Sequence, residues 1–419
     1  MLTFLHAADI HLDSPLRGLA RYDGAPLELL RGASRRAFEN LVRSAIEERV
    51  AFLVISGDLY DGEWKDFNTG LFFARQLGRL REAGVEVVVL HGNHDAESSL
   101  TRALRLDGVH VFPAGRAGTI RLERWGVALH GQSFKTAETT DNLVPGYPEP
   151  IPGLLNLGVL HTALEGHAEH ARYAPCTVEE LENKGYGYWA LGHVHAARIV
   201  RREPWVVYPG NLQGRHAREV GAKGAIRVAV EDREIVGVEA VAFDVLRWAH
   251  LQVDAGGAAT RDGVEDRVRE ALAAAIRSDG DGRPLAVRVS ITGATRAHHA
   301  LLAHEEGFRA DLQGIAAGLG ADVAWIEKIR LATAPEGAPV ARTDGAVDDL
   351  RRTLDEAAAD PELRQALQAD LQTLLDKLPA EARRDLEPGP LADLQAGRLE
   401  SVIAEALPLL RARLDGAEG

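Results

Sequence analysis

Along the first 240 or so residues, short apolar runs alternate with amphipathic stretches. "LTFLHAA" reads as a strand and Leu27 to Arg49 as a helix. "AFLVISG" is a second strand, Asn68 to Ala83 a second helix, and "VEVVVLHG" a third strand. This βαβα order implies parallel strand pairs with helices on the sheet faces. "TIRLERWGVALHG" reads as a hairpin turning at Glu123 and Arg124. "LLNLGVLH" and "GYWALGH" are apolar without alternation, as in strands covered on both faces. "ARIVRREPWVVYPG" and "GAIRVAVEDREIVGVEAVAF" read as antiparallel hairpins. The expectation is an α/β domain over residues 1–243, layered from two sheets flanked by helices.

A second βαβαβ block follows over 244–334, and predicts a small α/β domain. Its strands are "RWAHLQVDA", "PLAVRVSITG" and "DVAWIEKIRLAT"; its helices are "GVEDRVREALAAAIRS" and "EGFRADLQGIAAGLG". "APEGAPVARTDG" is a linker by its Pro and Gly content. It opens a third region, 335–419, in which Leu and Ala recur at helical spacing, punctuated by Pro361, Pro379 and Pro388. There the stripe Leu363, Leu367, Leu371 and Leu374 predicts a packing face.

The ends of the N-terminal strands change the picture from architecture to chemistry. Asp9 and His11 follow the first strand, Asp58 and Asp61 the second, and Asn93, His94 and Asp95 the third. His161 closes a later strand, and His193 and His195 another. Each group is expected at one edge of a parallel sheet, where open α/β sheets bind ligands. Residues one position apart on an extended segment point the same way, so Asp9/His11 and His193/His195 are each read as a pair aimed into one site.

Carboxylates, imidazoles and an amide oxygen suit hard or borderline cations. Mn²⁺, Fe²⁺ and Zn²⁺ are favoured over Mg²⁺ by the number of histidines. Seven candidate ligands (Asp9, His11, Asp58, Asn93, His161, His193 and His195) exceed the needs of one tetrahedral ion, so two divalent metal ions are expected, with Asp58 shared between them. Such a pair activates water against a phosphate ester. His94 is then the group that contacts the phosphate and protonates the leaving oxygen, with Asp95 orienting its ring.

The motifs "DIH", "GDLYD", "GNHD", "LHT" and "GHVH", in that order, resemble the calcineurin-like metallophosphoesterase superfamily. Within it, "HAADIHLDSPLRGL" and "YPGNLQGRH" resemble the SbcD/YhaO-type DNA repair exonucleases, bacterial relatives of the meiotic-recombination nuclease. The resemblance covers residues 1–240 and, more weakly, the following block, which is similar in order to a capping domain. It implies that Asp9, His11, Asp58 and His195 hold one ion and that Asp58, Asn93, His161 and His193 hold the other, with manganese the usual metal. It further implies 3′–5′ exonuclease action on DNA with endonuclease activity on single strands, in double-strand-break repair. An SMC-like ATPase partner and a homodimer are also implied. Two positions depart from it. Asp61 stands where archaeal and eukaryotic members carry histidine, and His91 where proline is common.

Composition limits the alternatives. The net charge of −14 excludes a generally basic nucleic-acid coat. The acidity concentrates at the end of the chain, where 344–419 holds 9 Lys and Arg against 17 Asp and Glu. From His195 to Arg227 the balance reverses. Arg198, Arg201, Arg202, Arg215, Arg218, Lys223 and Arg227 oppose only Glu203 and Glu219, and Arg198, Arg215 and His216 are candidate substrate contacts with Asp61. The competing readings are an ordinary solvated hairpin face and a turn built on Pro209 and Gly210. One cysteine, Cys176, excludes an intramolecular disulfide framework and points to a reducing, cytoplasmic setting. No membrane span and no secretory signal are expected. Beside the DNA nuclease stand a phosphodiesterase or phosphatase of small molecules such as nucleotides, and a degenerate scaffold for DNA or ATPase docking.

Overall fold

Successive residues of the first strand, β1 (Leu2–Ala7), serve two different cores. Phe4 turns to one side and Leu5 and Ala7 to the other, all fully buried. The same division runs through β2 (Phe52–Ser56), with Phe52 and Val54 opposite Leu53 and Ile55. On the outer face, Ala37, Phe38, Leu41, Val42 and Ala45 form the apolar stripe of helix α1 (Ala33–Glu47). Helix α2 (Phe67–Glu82) adds Phe72, Phe73, Leu77 and Leu80 to that layer. The computed structural model describes residues 2–14, 30, 32–60, 67–97, 108–164, 173–320, 322–336, 354, 357–358, 360–378, 383, 386 and 389–415.

The chain continues through β3 (Glu86–Leu90), α3 (Asn93–Glu97), β4 (Val109–Val111), β5 (Gly118–Leu122), β6 (Val127–Gly131) and β7 (Leu155–His161). Then come α4 (Val178–Asn183), β8 (Tyr188–Gly192), β9 (Arg198–Arg202), β10 (Trp205–Tyr208), β11 (Gly224–Glu231) and β12 (Glu234–Ala242). These strands make two six-stranded sheets, ordered β12-β11-β1-β2-β3-β4 and β5-β6-β7-β8-β10-β9. In the first, β1 to β4 run parallel and β11 joins β1 antiparallel. In the second, β6, β7, β8 and β10 run parallel, with β5 and β9 antiparallel at the edges. Phe4, Phe52, Val88, Leu129, Leu157 and Tyr188 fill the space between the sheets. Phe4 stacks on Phe52 at 4.6 Å between ring centroids. The outer face of the second sheet is covered by Leu181, Tyr186, Tyr147 and Phe134 against Leu160, Trp189 and Tyr208. The layered α/β architecture and the predicted hairpins are therefore present.

One buried polar group also joins the sheets. His6 of β1 donates from Nε2 to the Leu191 carbonyl at 3.1 Å, and its Nδ1 accepts from the Tyr188 hydroxyl at 3.0 Å. The neutral ring thus satisfies both nitrogens without carrying charge into the core. Burial, opposed by the bond to Leu191, lowers the His6 pKa to about 3 from the ordinary 6.5. Below pH 6.5 the unfolded chain takes up a proton at His6 that the folded chain refuses, so stability falls with pH until about pH 3. This group contributes a loss of about 1.4 kcal/mol per pH unit in that window. Urea unfolding at pH 7 and pH 4.5 should therefore show a smaller loss in His6→Gln than in the wild type. Equal losses would refute this account.

Contacts divide the chain into two compact units, one of Met1–His250, Ala274–Arg288 and Gly320–Glu327, the other of Leu251–Ala273, Val289–Leu319 and Lys328–Gly419. A third sheet has the order β13-β14-β15, from β13 (Arg247–Asp254), β14 (Leu285–Thr295) and β15 (Ala324–Pro335). Helices α5 (Arg261–Ser278), α6 (His298–Ala303) and α7 (Glu305–Gly318) intervene. The C-terminal region holds α8 (Pro361–Asp376), α9 (Pro390–Gln395) and α10 (Leu399–Asp415). Pro361 opens α8, where its missing N–H costs no hydrogen bond. The expected leucine stripe needs correction. Leu371 and Leu375 pack with Leu394 and Leu399, whereas Leu363, Leu367 and Leu374 are exposed. No helix among the described residues is long and apolar enough to cross a membrane.

Candidate metal centre

The candidate ligands gather at the C-terminal ends of both sheets of the first unit. Asp9, His11, Asp58 and Asn93 follow β1, β2 and β3 in one sheet; His161, His193 and His195 end or follow β7 and β8 in the other. The site thus spans the mouth of a two-layer sandwich, not the edge of a single sheet. The expected strand alternation does not place them either. Asp9, His11, Asp58 and His193 have φ of 49°, 45°, 54° and 97°, left-handed values uncommon for side-chain-bearing residues. Backbone bonds hold these bends: Asp9 N–H donates to Gly57 O, His11 N–H to Asp58 O and Leu12 N–H to Leu59 O, at 3.0, 3.1 and 2.9 Å.

Two groups of ligand atoms result. Asp9, His11 and His195 form one, and Asp58, His161 and His193 the other, each with its atoms within 4.8 Å of one another. The paired residues His193 and His195 therefore serve different groups. Asp58 Oδ2 lies 3.4 Å from His161 Nε2 and 3.9 Å from His11 Nε2, so one carboxylate reaches both groups. Asp9 accepts the His193 backbone N–H at 3.0 Å and stands 3.7 Å from His195 Nε2. All but His193 and His195 are buried.

The donor set fits cations. His161 Nδ1–H donates to the Ser56 carbonyl at 2.9 Å, which turns Nε2 toward Asn93 Oδ1 at 3.0 Å and Asp58 Oδ2 at 3.4 Å. Positive charge belongs between these atoms, either a second proton on Nε2 or a cation in its place. Burial alone would lower the His161 pKa, but the charge and hydrogen bond of Asp58 outweigh it and lift the pKa to about 9. At Asp9 burial dominates, with Asp58 adding repulsion against the pull of His195 and His161, and the carboxyl rises to about 6. Two buried carboxylates among histidines make a negative, oxygen-and-nitrogen cage suited to divalent ions.

Three glycines, each directly before a ligand motif, make room for this cage and were not singled out in the sequence. A Cβ on Gly57 would come within 2.3 Å of His161 Nδ1, one on Gly92 within 2.3 Å of Asp58 Oδ1, and one on Gly192 within 1.9 Å of the Ser56 carbonyl oxygen. Gly57 also has φ +97°, which side chains rarely adopt. Gly192→Ala should displace Ser56 and release His161. Expected are a loss of about 1–3 kcal/mol in stability and less bound metal, read by chemical unfolding and elemental analysis; wild-type values in both would contradict the crowding argument.

His94 stands at the rim, half-buried, its backbone N–H donating to Asp58 Oδ1 at 3.0 Å and its ring 5.0 Å from that of His11. Asp95, expected to orient the His94 ring, instead receives three backbone N–H groups, those of Leu59, Tyr60 and Gly92, at 2.9–3.0 Å. It ties the loop after β2 to that after β3. Arg215 lies beside the first group, 3.3 Å from Ser14 Oγ and 3.4 Å from His195 Nδ1. His216 lies 3.5 Å from Glu219. Arg198 is exposed at the start of β9. Asp61 lies outside the described residues.

The basic excess is less available than its sequence count implied. Arg227 pairs with Glu48 and Glu239, Arg201 with Glu182, and the Lys223 ammonium is buried against the His195 carbonyl. What sequence reading missed is Glu219, counted only as an opposing charge. Its carboxylate is buried and meets His195 Nδ1 at 2.6 Å. Burial would raise its pKa, but the His195 hydrogen bond and the Arg215 charge hold it well below the carboxylate range.

A sandwich of two mixed sheets with candidate Asp, His and Asn ligands at its mouth fits a metal-dependent phosphoester hydrolase. The chain belongs to the calcineurin-like metallophosphoesterases, whose family model matches residues 2–197; a model for the middle domain of metallophosphoesterase YhaO matches residues 248–334. It is similar to the metallophosphoesterase YhaO of Bacillus subtilis (strain 168), at 31% identity over 297 residues, covering 70% of this chain and 72% of that one. It is also similar to two archaeal proteins named DNA double-strand break repair protein Mre11. That of Methanopyrus kandleri is 27% identical over 208 residues, covering 45% of this chain and 44% of its own. That of Aeropyrum pernix is 29% identical over 248 residues, covering 53% and 56%. The chain therefore spans about half the length of each of these two.

Proposed function

We propose that this protein is a two-metal phosphodiesterase that hydrolyses DNA ends in double-strand-break repair. The observation that carries the hydrolytic part is the pair of ligand groups sharing Asp58 at the mouth of the sandwich. Similarity to the archaeal repair proteins supports DNA as substrate. Asp9, His11, Asp58 and His195 would hold one ion, and Asp58, Asn93, His161 and His193 the other, with manganese preferred. Two divalent ions in such a site supply Lewis-acid stabilisation of phosphoryl charge and acidify water. His94, beside His11 and open to solvent, protonates the departing oxygen. Arg215 offers its guanidinium to a non-bridging phosphate oxygen. Action from 3′ ends, an SMC-like ATPase partner and a homodimer belong to the same proposal.

Arg201 and Arg227, paired with carboxylates, and Lys223, buried against a carbonyl, favour a second reading, a hydrolase of small phosphodiesters that needs no extended basic surface. The two separate in one assay. Mn²⁺-dependent release of nucleotides from end-labelled duplex DNA is measured beside hydrolysis of a chromogenic phosphodiester. Activity on both supports the nuclease. Activity on the ester alone rejects it.

A further inference from the structure

Two of the ligand histidines are backed by different groups. His161 rests its Nδ1–H on a neutral carbonyl, that of Ser56, whereas His195 rests its own on the carboxylate of Glu219. The carboxylate is itself fixed. Glu219 Oε2 accepts from Asn211 Nδ2 at 2.8 Å and from the Arg215 backbone N–H at 2.6 Å. Two bonds hold the same histidine by its backbone: Lys223 Nζ donates to the His195 carbonyl at 2.9 Å and Asn211 N–H to that oxygen at 3.3 Å. The segment 211–223 thus clamps one ligand at ring and backbone together. With Nδ1 committed as donor to Glu219, Nε2 is left as the lone-pair atom, and it is Nε2 that faces Asp9. A carboxylate behind an imidazole also makes its far nitrogen the stronger donor.

Resting on the metal reading above, we propose that Glu219 is a positioning residue that sets the affinity of one metal site only, the one formed by Asp9, His11 and His195. The two ions are then held unequally, and the Glu219 carboxylate decides how firmly the His195 ion stays. Removing the carboxylate frees the His195 ring to rotate and to choose the other tautomer. The Asp58, Asn93, His161 and His193 site keeps its own support from Ser56.

The test is Mn²⁺ titration of the metal-free full chain by calorimetry, with elemental analysis and the electron-paramagnetic signature of a coupled Mn²⁺ pair. Glu219→Ala should weaken one of the two sites about 10–100-fold and leave the other unchanged. The coupled signal should fade at limiting Mn²⁺ and return at excess, and kcat should recover with it at unchanged KM for the ester. Glu219→Gln, which keeps the shape and one acceptor oxygen, should fall between the two. Two sites of wild-type affinity in both variants would overturn the inference, as would equal weakening of both sites with a lowered melting temperature of the metal-free protein. A wild-type chain that binds no Mn²⁺ pair would remove the metal reading itself, and this inference with it.

Discussion

Asp58→Asn is expected to abolish phosphoester hydrolysis, with kcat/KM down at least about 10⁴-fold, and to leave the fold standing. Asp58 Oδ2 is within 3.9 Å of His11 and 3.4 Å of His161, so the substitution removes an anionic oxygen from both ligand groups at once. The amide oxygen of Asn still accepts the His94 backbone N–H that Asp58 Oδ1 now accepts, and the side chain has the same shape. The metal-free melting temperature should therefore change by only a few degrees. The wild type should gain stability with Mn²⁺, about 2.7 kcal/mol at a hundredfold excess over Kd, and the variant should gain far less. Thermal melts with and without Mn²⁺, beside the ester assay, check both halves. A variant that retains both the Mn²⁺ shift and the activity would remove Asp58 from its bridging place.

Much of the site was legible because each ligand group follows an apolar run, and strand ends are what apolar runs reveal. "ADIH", "SGD" and "HGN" could be placed after β1, β2 and β3 without knowing how the sheets meet. The meeting itself was hidden. Asp9 and His193 are 184 positions apart and come from different sheets, yet the backbone of one bonds the carboxylate of the other. Periodicity reports which residues face inward, not which inward faces oppose. Alternation is not what aims His193, since its φ of 97° takes it off the extended path. Glycine spacing was equally mute. That Gly192 abuts Ser56 is a fact of packing between β8 and β2, and nothing in "LGHVH" carries it. Glu219 was missed because its charge was summed along the chain, when what matters is that it is buried on His195. The leucines of α8 failed similarly, since a helical stripe gives a face but not its partner. Leu375, one position off the expected stripe, is the residue that is buried.

His94→Ala should give the other large effect, and the contrast with Asp58 is what makes it informative. The residue lies next in sequence to Asn93 and its ring is 5.0 Å from that of His11, but it belongs to neither ligand group. Its tie to the cage is the backbone N–H on Asp58, which alanine keeps. Metal content should therefore stay at the wild-type level. What is lost is a half-buried imidazole at the rim, placed to hand a proton to the oxygen that leaves as the phosphoester bond breaks. A general acid of this kind is worth about 10²–10⁴-fold in rate, so kcat should fall by that factor. The fall should depend on the leaving group. An ester of a good leaving group such as p-nitrophenol needs little protonation and should suffer least, whereas a DNA or alkyl diester should suffer most. Comparing kcat for the two esters in wild type and His94→Ala checks this directly. A uniform loss across leaving groups would assign His94 to phosphate binding instead of proton transfer, and loss of metal in the variant would make it a ligand.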